Sequence, residues 1–207
     1  AGAFGRGADA LEHHGVADNP LVVCASDNGC AHYCGIEEMG AQGHFPSGPF
    51  RGYMSDAWDG GHRIPCIARW PGVIRPGSQC GELVCLADLM ATCAEIVGAS
   101  LPAGAGEDSV SLLPLFRETG LPVREHVVHH SIDGKFAIRD RQWKLVLCPG
   151  SGGWTHRDAV AAKEGLPLVQ LYDMQADPGE TTNLHAAHPS QVKAMGTLLK
   201  QIGRAHV

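Results

Sequence analysis

The sequence predicts an α/β protein in which the α/β part is followed by a small antiparallel β-sheet and a last helix. First, a helical stretch, 8–14, leads into Leu21–Cys24, an apolar run typical of a buried strand of a parallel sheet. Second, short runs of alternating apolar and polar residues, separated by turn residues, begin after Pro122. Third, Pro189 opens a helix whose apolar side chains can cover one face of that sheet.

The α/β part contains three further predicted elements. Segment 30–50 is rich in Gly, His and Pro and is predicted to be a long surface loop, of the kind that often serves a site. Ile64–Trp70 is predicted to be a second buried strand, because Pro71 and the following glycine close it with turn chemistry. A helix is predicted to begin at Asp88 as its N-cap and to end at Gly98.

The second part of the chain is predicted to form an antiparallel sheet. Turn residues at Asp133-Gly134 and Asp177-Pro178-Gly179 separate its strands. We therefore divide the chain into an α/β part, 1–121, and a small antiparallel-sheet subdomain, 122–201. The four predicted strands are Val127–His130, Phe136–Arg139, Lys144–Leu147 and Gln170–Tyr172.

Composition excludes some classes of partner. The chain has 207 residues, is 44% hydrophobic and carries a net charge of −6. It has no basic run, which argues against nucleic acid or an anionic membrane surface as the main partner. Its apolar runs are far shorter than the roughly 20 residues that a membrane span needs.

The eight cysteines do not form the pattern of a disulfide framework. Residues Cys30, His32, Cys34 and His44 are of the types that bind zinc, but their spacing is not that of a known finger or ribbon, so a zinc site and an ordinary loop both stay open. Four other cysteines lie in apolar patterns and are predicted to be small buried hydrophobic residues. These are Cys24, Cys66, Cys85 and Cys93.

Two oxygen-bearing side chains, Asp27 and Asn28, follow the predicted strand Leu21–Cys24. In open α/β sheets, ligands bind at the carboxyl ends of the strands. Carboxylate and carboxamide oxygens suit a hard divalent cation, so the pair is a candidate metal site. A turn without any ligand is the alternative, because Ser-Asp-Asn-Gly is also a common turn sequence.

Six motifs occur in an order that resembles the second half of the sulfatase family, which is part of the alkaline phosphatase superfamily. The similarity is greatest to arylsulfatase A-type and N-acetylgalactosamine-6-sulfatase-type enzymes. The resemblance extends from about Ala8 to Lys200. The motifs are SDNG at 26–29, RGYMSDAWDGGHRIP at 51–65, ARWPG at 68–72, LADLMAT at 86–92, AIRDRQWKL at 137–145 and LYDMQADPGETTNL at 171–184.

The resemblance implies a calcium site and a substrate loop. Asp27 and Asn28 match the family's calcium ligands, and Arg51–Pro65 matches a loop whose lysine contacts the sulfate. Here Met54 occupies that lysine position, and a thioether supplies neither charge nor a hydrogen-bond donor. Arg51, His62, His44 and Met54 are the candidate substrate-binding residues. The resemblance also implies that Arg63 braces the loop and that Asp59 replaces a usual glutamate.

The family's nucleophile is a formylglycine made from the first residue of a Cys-x-Pro-x-Arg or Ser-x-Pro-x-Arg motif, which comes earlier in the family sequence. We expect this chain to lack that motif, and we therefore assign no catalytic residue in it. The chain is then the C-terminal part of the enzyme and inactive alone. Residues 202–207, IGRAHV, match a translated sequencing adapter and are predicted to be an artefact. The resemblance also implies a periplasmic or extracellular location.

Three functional hypotheses follow. The first is calcium-dependent hydrolysis of a sulfate ester, on a small molecule or a glycan, by the full-length protein. The second is a phosphoester or phosphonate hydrolase of the same superfamily, since phosphate and sulfate have similar sizes. The third is a non-catalytic binding protein, which Met54 favours.

Overall fold

The computed structural model describes residues 2–118 and 121–205, with side chains as far as residue 203. Mixed α/β structure with two antiparallel sheets and a C-terminal helix confirms the predicted fold class. The chain forms two compact units, one from residues 1–26 and 65–123 and the other from 27–64 and 124–207. We call them the split unit and the sheet unit. No helix among the described residues is long and apolar enough to cross a membrane.

The split unit contains a two-stranded sheet and three helices. Its helices are α1 (Gly2–His13), α4 (Asp88–Ile96) and α5 (Leu113–Phe116), and its strands are β1 (Val22–Ala25) and β2 (Cys66–Arg69). The strands pair antiparallel, with Val22 opposite Arg69 and Ala25 opposite Cys66.

The prediction that β1 and β2 are buried strands of a parallel sheet is wrong for the described chain. The two strands form a sheet of their own, and Ile67 in β2 is 65% exposed. An apolar run shows that a strand can be buried on both faces, but it does not specify the strand's direction or what covers it. For the same reason Cys66 and Cys93 are exposed, where the sequence predicted burial, while Cys24 and Cys85 are half-buried.

Asp88 does not cap α4 from the N-cap position as predicted, because it is already the first residue of the helix. Its carboxylate instead accepts backbone hydrogen bonds from Cys85 N (2.7 Å) and Val110 N (3.0 Å). It is fully buried. A buried carboxylate must have its oxygens satisfied, so Asp88 joins the start of the helix to two neighbouring segments.

The sheet unit is built on a four-stranded antiparallel sheet in the order β3-β4-β5-β6. The strands are β3 (Val127–His130), β4 (Phe136–Arg139), β5 (Trp143–Val146) and β6 (Gln170–Asp173), close to the predicted runs. Its helices are α2 (Ile36–Ala41), α3 (Asp59–His62), α6 (Asp158–Lys163) and α7 (Pro189–Ala205), and a 3₁₀ helix spans His32–Cys34. Two short helices therefore occupy the segment that was predicted to be only a loop.

One face of this sheet is covered by α7, as predicted. Met195 of α7 packs on Ile138, Leu145 and Leu171, which lie opposite one another on β4, β5 and β6. Val192, Leu198 and Leu199 of the same helix also contact this cluster. Residues 202–205 continue α7, and residues 206–207 of the predicted adapter artefact lie outside the described residues.

The opposite face of the sheet is covered by an earlier segment of the chain. Ala57 and Trp58 pack on Ala137, Val146 and Tyr172 in a fully buried cluster. Residues 27–64 therefore belong with the antiparallel sheet, whereas the predicted boundary at residue 121 assigned them to the α/β part. Sequence order suggested that boundary, but the buried partners of this segment lie on strands that come much later in the chain.

Candidate functional site

The Asp27–Asn28 turn is anchored through the next residue, Gly29. Gly29 N donates to Gly61 O at 3.0 Å, and a Cβ atom on Gly29 would stand 1.8 Å from Gly60 O. No side chain fits at that distance, so glycine is required for this close approach. The Asp27 carboxylate accepts a hydrogen bond from Asn28 N at 3.0 Å and is exposed.

Residues Arg51–Pro65, which we call the sulfate-loop motif, contact the same turn. Met54 N donates to Cys30 O at 2.9 Å, one residue beyond Gly29. The two groups of predicted site residues, which are separated in sequence, are therefore brought together by backbone hydrogen bonds of the sheet unit. The roles of Asp27 and Asn28 as metal ligands and of Met54 as a substrate contact stay predictions.

Arg51 packs within the sheet unit. Its guanidinium lies 3.6 Å from the centre of the Trp58 ring and donates to Tyr172 Oη (3.3 Å) and Glu180 O (3.0 Å). A planar guanidinium stacks well on an aromatic face while its N–H groups remain available to acceptors. The geometry gives Arg51 a structural role, and a sulfate contact by this residue stays a prediction.

His62 lies in a half-buried pair of imidazoles. Its ring centroid is 4.1 Å from that of His129, and its Nε2 atom is buried without a hydrogen-bond partner. Burial lowers the pKa of His62 to about 4, and the nearby Lys144 ammonium adds to the effect. Burial likewise holds the pKa of His129 well below its usual value. Both rings are therefore neutral near pH 7.

His129 is held by a backbone contact, since its Nε2–H donates to Ala57 O at 3.1 Å. This bond fixes one face of the imidazole pair to the segment that carries Trp58. His44, by contrast, is exposed in the loop after α2, where its backbone N donates to Met39 O. Substrate contacts by His62 and His44 stay predictions.

Four charged side chains form a buried network beneath the loop. Lys144 Nζ lies 2.9 Å from Asp59 Oδ1 and 2.8 Å from Glu180 Oε1, and none of these three side chains is more than 3% exposed. Arg139 donates to the second oxygen of Asp59, and Glu180 accepts from Asp59 N at 2.6 Å. Two carboxylates and two cations thus balance each other inside the unit.

The pKa values of the two carboxylates in this network are shifted in opposite directions. Burial raises the pKa of Asp59, but Lys144 and Arg139 outweigh it and lower the value to about 2. The pKa of Glu180 is raised, because burial and the neighbouring Asp59 oppose its ionisation. Asp59 is therefore the anionic centre of the network, and it belongs to α3, on which Gly29 rests.

Sequence reasoning noticed the Asp59 carboxylate but missed its partners. The available signal was the lysine at 144 within the otherwise apolar run WKLV, together with Glu180 inside the last motif. A lysine in such a run is usually assumed to face solvent.

Arg63 lies over the Phe50 ring, with 4.4 Å between its Cζ atom and the ring centroid, and approaches Asp59 Oδ2 at 3.9 Å. Its side chain is 48% exposed. The prediction that this residue braces the loop agrees with these contacts.

The expectation that the chain contains no Ser-x-Pro-x-Arg string is wrong. Ser47-Gly48-Pro49-Phe50-Arg51 has that spelling. In the structure the Ser47 hydroxyl donates to Gly52 O at 2.9 Å, and Arg51 is bound to Trp58 and Glu180. The string follows the Asp27–Asn28 turn, whereas the family resemblance implies a nucleophile that precedes it, so Ser47 is given no catalytic role.

Metal-binding groups are sparse in the part of the chain that the structure describes. Within residues 2–118 and 121–205, no cluster of three or more His, Cys, Asp or Glu side chains could hold a metal ion. Of the candidate zinc ligands, His32 uses its Nε2 atom in a contact with Thr155, and burial raises the pKa of the Cys30 thiol. Asp27 and Asn28 offer two hard oxygen-bearing side chains, which fit calcium but supply only part of its usual coordination of six to eight oxygens.

Comparisons with known proteins agree with the motif order. The Sulfatase family model matches residues 3–99. An N-acetylgalactosamine-6-O-sulfatase of Bacteroides thetaiotaomicron is 31% identical over 193 residues, which is 90% of this chain and 37% of that protein. Arylsulfatase A of Homo sapiens is 30% identical over 213 residues, which is 97% of this chain and 40% of that protein.

Solved structures share the fold. One described for glycosaminoglycan metabolism in Bacteroides thetaiotaomicron has a TM-score of 0.81 at 28% identity and covers 96% of this chain and 42% of its own. Another, in complex with its substrate D-glucosamine-2-N,6-O-disulfate, has a TM-score of 0.67 at 24% identity and covers 98% of this chain and 37% of its own. The chain belongs to the sulfatase family. It spans about two fifths of the length of these relatives.

Proposed function

We propose that this chain is part of a sulfuric ester hydrolase and that Asp27 and Asn28 are two of its calcium ligands. The observation that carries the proposal is the docking of the Asp27–Asn28 turn, through Gly29, onto α3 of the sulfate-loop motif. This contact places two hard oxygen-bearing side chains beside the loop that the family resemblance assigns to the substrate.

Calcium bound at this turn would polarise an oxygen of the sulfate ester and offset its negative charge. The role of the chain's own residues is to position that group. Gly29 holds the turn against α3, and the charge network beneath α3 fixes the helix to the sheet. Gly29 and the charge network can hold the turn while Asp27 and Asn28 are not buried. Accessible side chains suit residues that bind a metal ion next to a substrate.

The proposed substrate is a sulfate ester on a glycan. This rests on relatives that are named N-acetylgalactosamine-6-O-sulfatase and Ulvan-active sulfatase. We further propose that the chain alone does not turn over sulfate esters. The formylglycine nucleophile would have to come from sequence that precedes Asp27, because Ser47 lies in a structural loop.

A second candidate is a non-catalytic binding protein. Met54 favours it, because methionine at the lysine position cannot hold a sulfate by charge. The two candidates belong to the same family, but only the first hydrolyses a sulfate ester.

The experiment uses the longest open reading frame that contains this chain. Replacing Asp27 and Asn28 together by Ala should abolish turnover of para-nitrophenyl sulfate and weaken calcium binding measured by calorimetry. Asp133→Ala, which removes an exposed aspartate from another turn, serves as the matched control and should change neither. Unchanged turnover in the double variant would remove both residues from the site.

The same assay separates the alternatives. Turnover of para-nitrophenyl phosphate in preference to the sulfate would indicate a phosphoester hydrolase. Calcium and sulfated-glycan binding without any turnover would favour the binding protein.

A further inference from the structure

A second polar cluster contains His32, which follows the Asp27–Asn28 turn in the sequence, and is not explained by the proposed metal site. His32 Nε2 contacts Thr155 Oγ1 at 3.0 Å, and the Thr155 hydroxyl donates in turn to Asp56 Oδ2. Asp56 is fully buried and also accepts from Tyr53 N (2.9 Å) and Thr155 N (3.2 Å). The chain of contacts therefore runs from a buried carboxylate to a half-buried imidazole.

These contacts determine which nitrogen of the neutral His32 ring carries the proton. A hydroxyl has one proton to donate, and Thr155 gives it to Asp56 because a carboxylate can only accept. Thr155 must then accept from His32, so Nε2 is the protonated nitrogen. Nδ1 is left as a hydrogen-bond acceptor. Within residues 2–118 and 121–205 the structure provides no partner for it.

Aromatic rings flank the imidazole. The Tyr53 ring meets it edge-on with 5.0 Å between centroids, and the Trp154 ring lies at 6.4 Å. Trp154 is 38% exposed. The cluster therefore combines the accessible aromatic surface of Trp154 with an oriented hydrogen-bond acceptor, His32 Nδ1.

The loop that carries Trp154 is held rigidly. A Cβ atom on Gly153 would stand 2.4 Å from Ser55 O, and Trp154 N donates to Ser55 Oγ at 3.2 Å. Ala57 N also donates to Ser151 O at 2.8 Å. Three contacts thus join this loop to the sulfate-loop motif, so the backbone position of Trp154 is fixed. Preorganised side chains bind with a smaller entropic cost.

We infer that His32, Tyr53 and Trp154 form a subsite for a neutral sugar ring next to the proposed sulfate position. A pyranose offers hydroxyl donors for His32 Nδ1 and an apolar C–H face for the indole. A purely apolar group, such as a steroid, would leave the acceptor unpaired at a cost in affinity. The subsite adjoins the sulfate loop because Tyr53 directly precedes Met54, whose backbone is bonded to Cys30. This inference rests on the proposed function, since it names the part of the substrate that lies beyond the sulfate.

The test titrates the chain with N-acetylgalactosamine, a neutral sugar, and follows backbone amides by NMR. Binding should perturb the Tyr53 and Trp154 amides. His32→Ala should weaken it about three- to tenfold, as expected for the loss of one hydrogen bond, and Trp154→Ala by about tenfold. Tyr33→Ala is the matched control, because Tyr33 is 78% exposed and adjacent to His32 but outside the cluster, and it should change nothing.

Two further measurements keep the inference falsifiable if a variant misfolds. His32→Asn, whose side-chain oxygen can accept in place of Nδ1, should retain most of the affinity that His32→Ala loses. Nitrogen-15 shifts of the His32 ring in its neutral form should report the proton on Nε2, and a proton on Nδ1 would overturn the assignment.

The outcomes separate this inference from the proposed function. Sugar binding that depends on His32 and Trp154, when the protein from the longest open reading frame turns over no sulfate ester, would support the subsite and reject the hydrolase. Turnover of a glycan sulfate that is unaffected by either variant, or no binding of the neutral sugar, would reject the subsite alone.

Discussion

The two units of the chain bury their polar and apolar groups in different ways. In the sheet unit both faces of the four-stranded sheet are covered, and even Lys144 is fully buried because carboxylates surround it. In the split unit the strands form a two-stranded sheet in which Ile67 is 65% exposed, and Val97 beyond α4 is 75% exposed. A two-stranded sheet is marginal in water without further packing.

The proposed site depends on the better packed unit. Gly29, α3 and the charge network all belong to residues 27–64 and 124–207. The Asp27–Asn28 turn is therefore anchored by a core that is complete within one unit. Changes in that core should be felt at the turn, and changes to exposed surface groups should not.

Breaking the charge network should have the largest effect. Lys144→Met removes the cation that lies between Asp59 and Glu180 and leaves two buried carboxylates underpaired. The loss of one partner of a buried ion pair typically costs about 3–5 kcal/mol of unfolding free energy. Urea denaturation followed by tryptophan fluorescence measures it. Lys135→Met is the control, since that lysine is half-exposed and 3.7 Å from Asp158, and its cost should stay below about 1 kcal/mol.

Equal costs for these two lysine variants would contradict the central role of the network. A second variant sharpens the result, because Lys144→Arg keeps the charge but not the geometry. It should recover part of the stability that Lys144→Met loses.

Filling the contact between the turn and α3 should have an intermediate effect. Gly29→Ala puts a methyl group where Gly60 O stands at 1.8 Å, so one of the two segments must move. Overpacking of this kind costs about 1–3 kcal/mol. Gly81→Ala has open space around it and should cost much less. Thermal unfolding of both variants gives the comparison, and a Gly29→Ala protein as stable as Gly81→Ala would show that the turn is not docked.

The two half-buried imidazoles should have the smallest effect near pH 7, but they should make stability depend on pH in acid. The pKa of His62 is about 4 in the folded chain and about 6.5 when unfolded, so the unfolded chain binds more protons between these values. Unfolding free energy should therefore fall as the pH drops from about 6.5 to 4, by up to about 1.4 kcal/mol per pH unit for each histidine. His129 adds to the same trend.

Denaturation at a series of pH values checks this dependence. His62→Gln should make the slope smaller but should not remove it, because His129 remains. His44→Asn, at an exposed position, should leave the slope unchanged. A slope that His62→Gln does not reduce would show that His62 does not contribute to the acid sensitivity.

Local sequence patterns predicted the sheet unit's strands well. Period-two alternation places Ile138 and Leu145 on one face and Arg139 and Lys144 on the other, and β3 and β4 coincide with the predicted runs. Alternation specifies a face but not what covers it. Lys144 and Asp59 are 85 positions apart, so their ion pair depends on tertiary packing that no local pattern encodes.

The candidate site was predicted less completely. Motif order brought Asp27, Asn28 and Met54 into one hypothesis, and the structure joins their segments through Gly29 and Cys30. The contact of His32 with Thr155 spans 123 positions and could not be read from spacing. The apolar runs of β1 and β2 gave a wrong prediction of buried parallel strands. Such runs show that a strand can be buried, but they do not show whether a partner is present to cover it.

Amide hydrogen exchange on the native chain compares the two units residue by residue. The backbone amides of Gly29, Gly60 and Gly61 should exchange as slowly as those of β4 and β5, because they belong to the same packed unit. The amides of β1 and β2 should exchange faster. Fast exchange at Gly29, Gly60 and Gly61 together with slow exchange in β1 and β2 would contradict the account, because the turn would then not be anchored by the sheet unit.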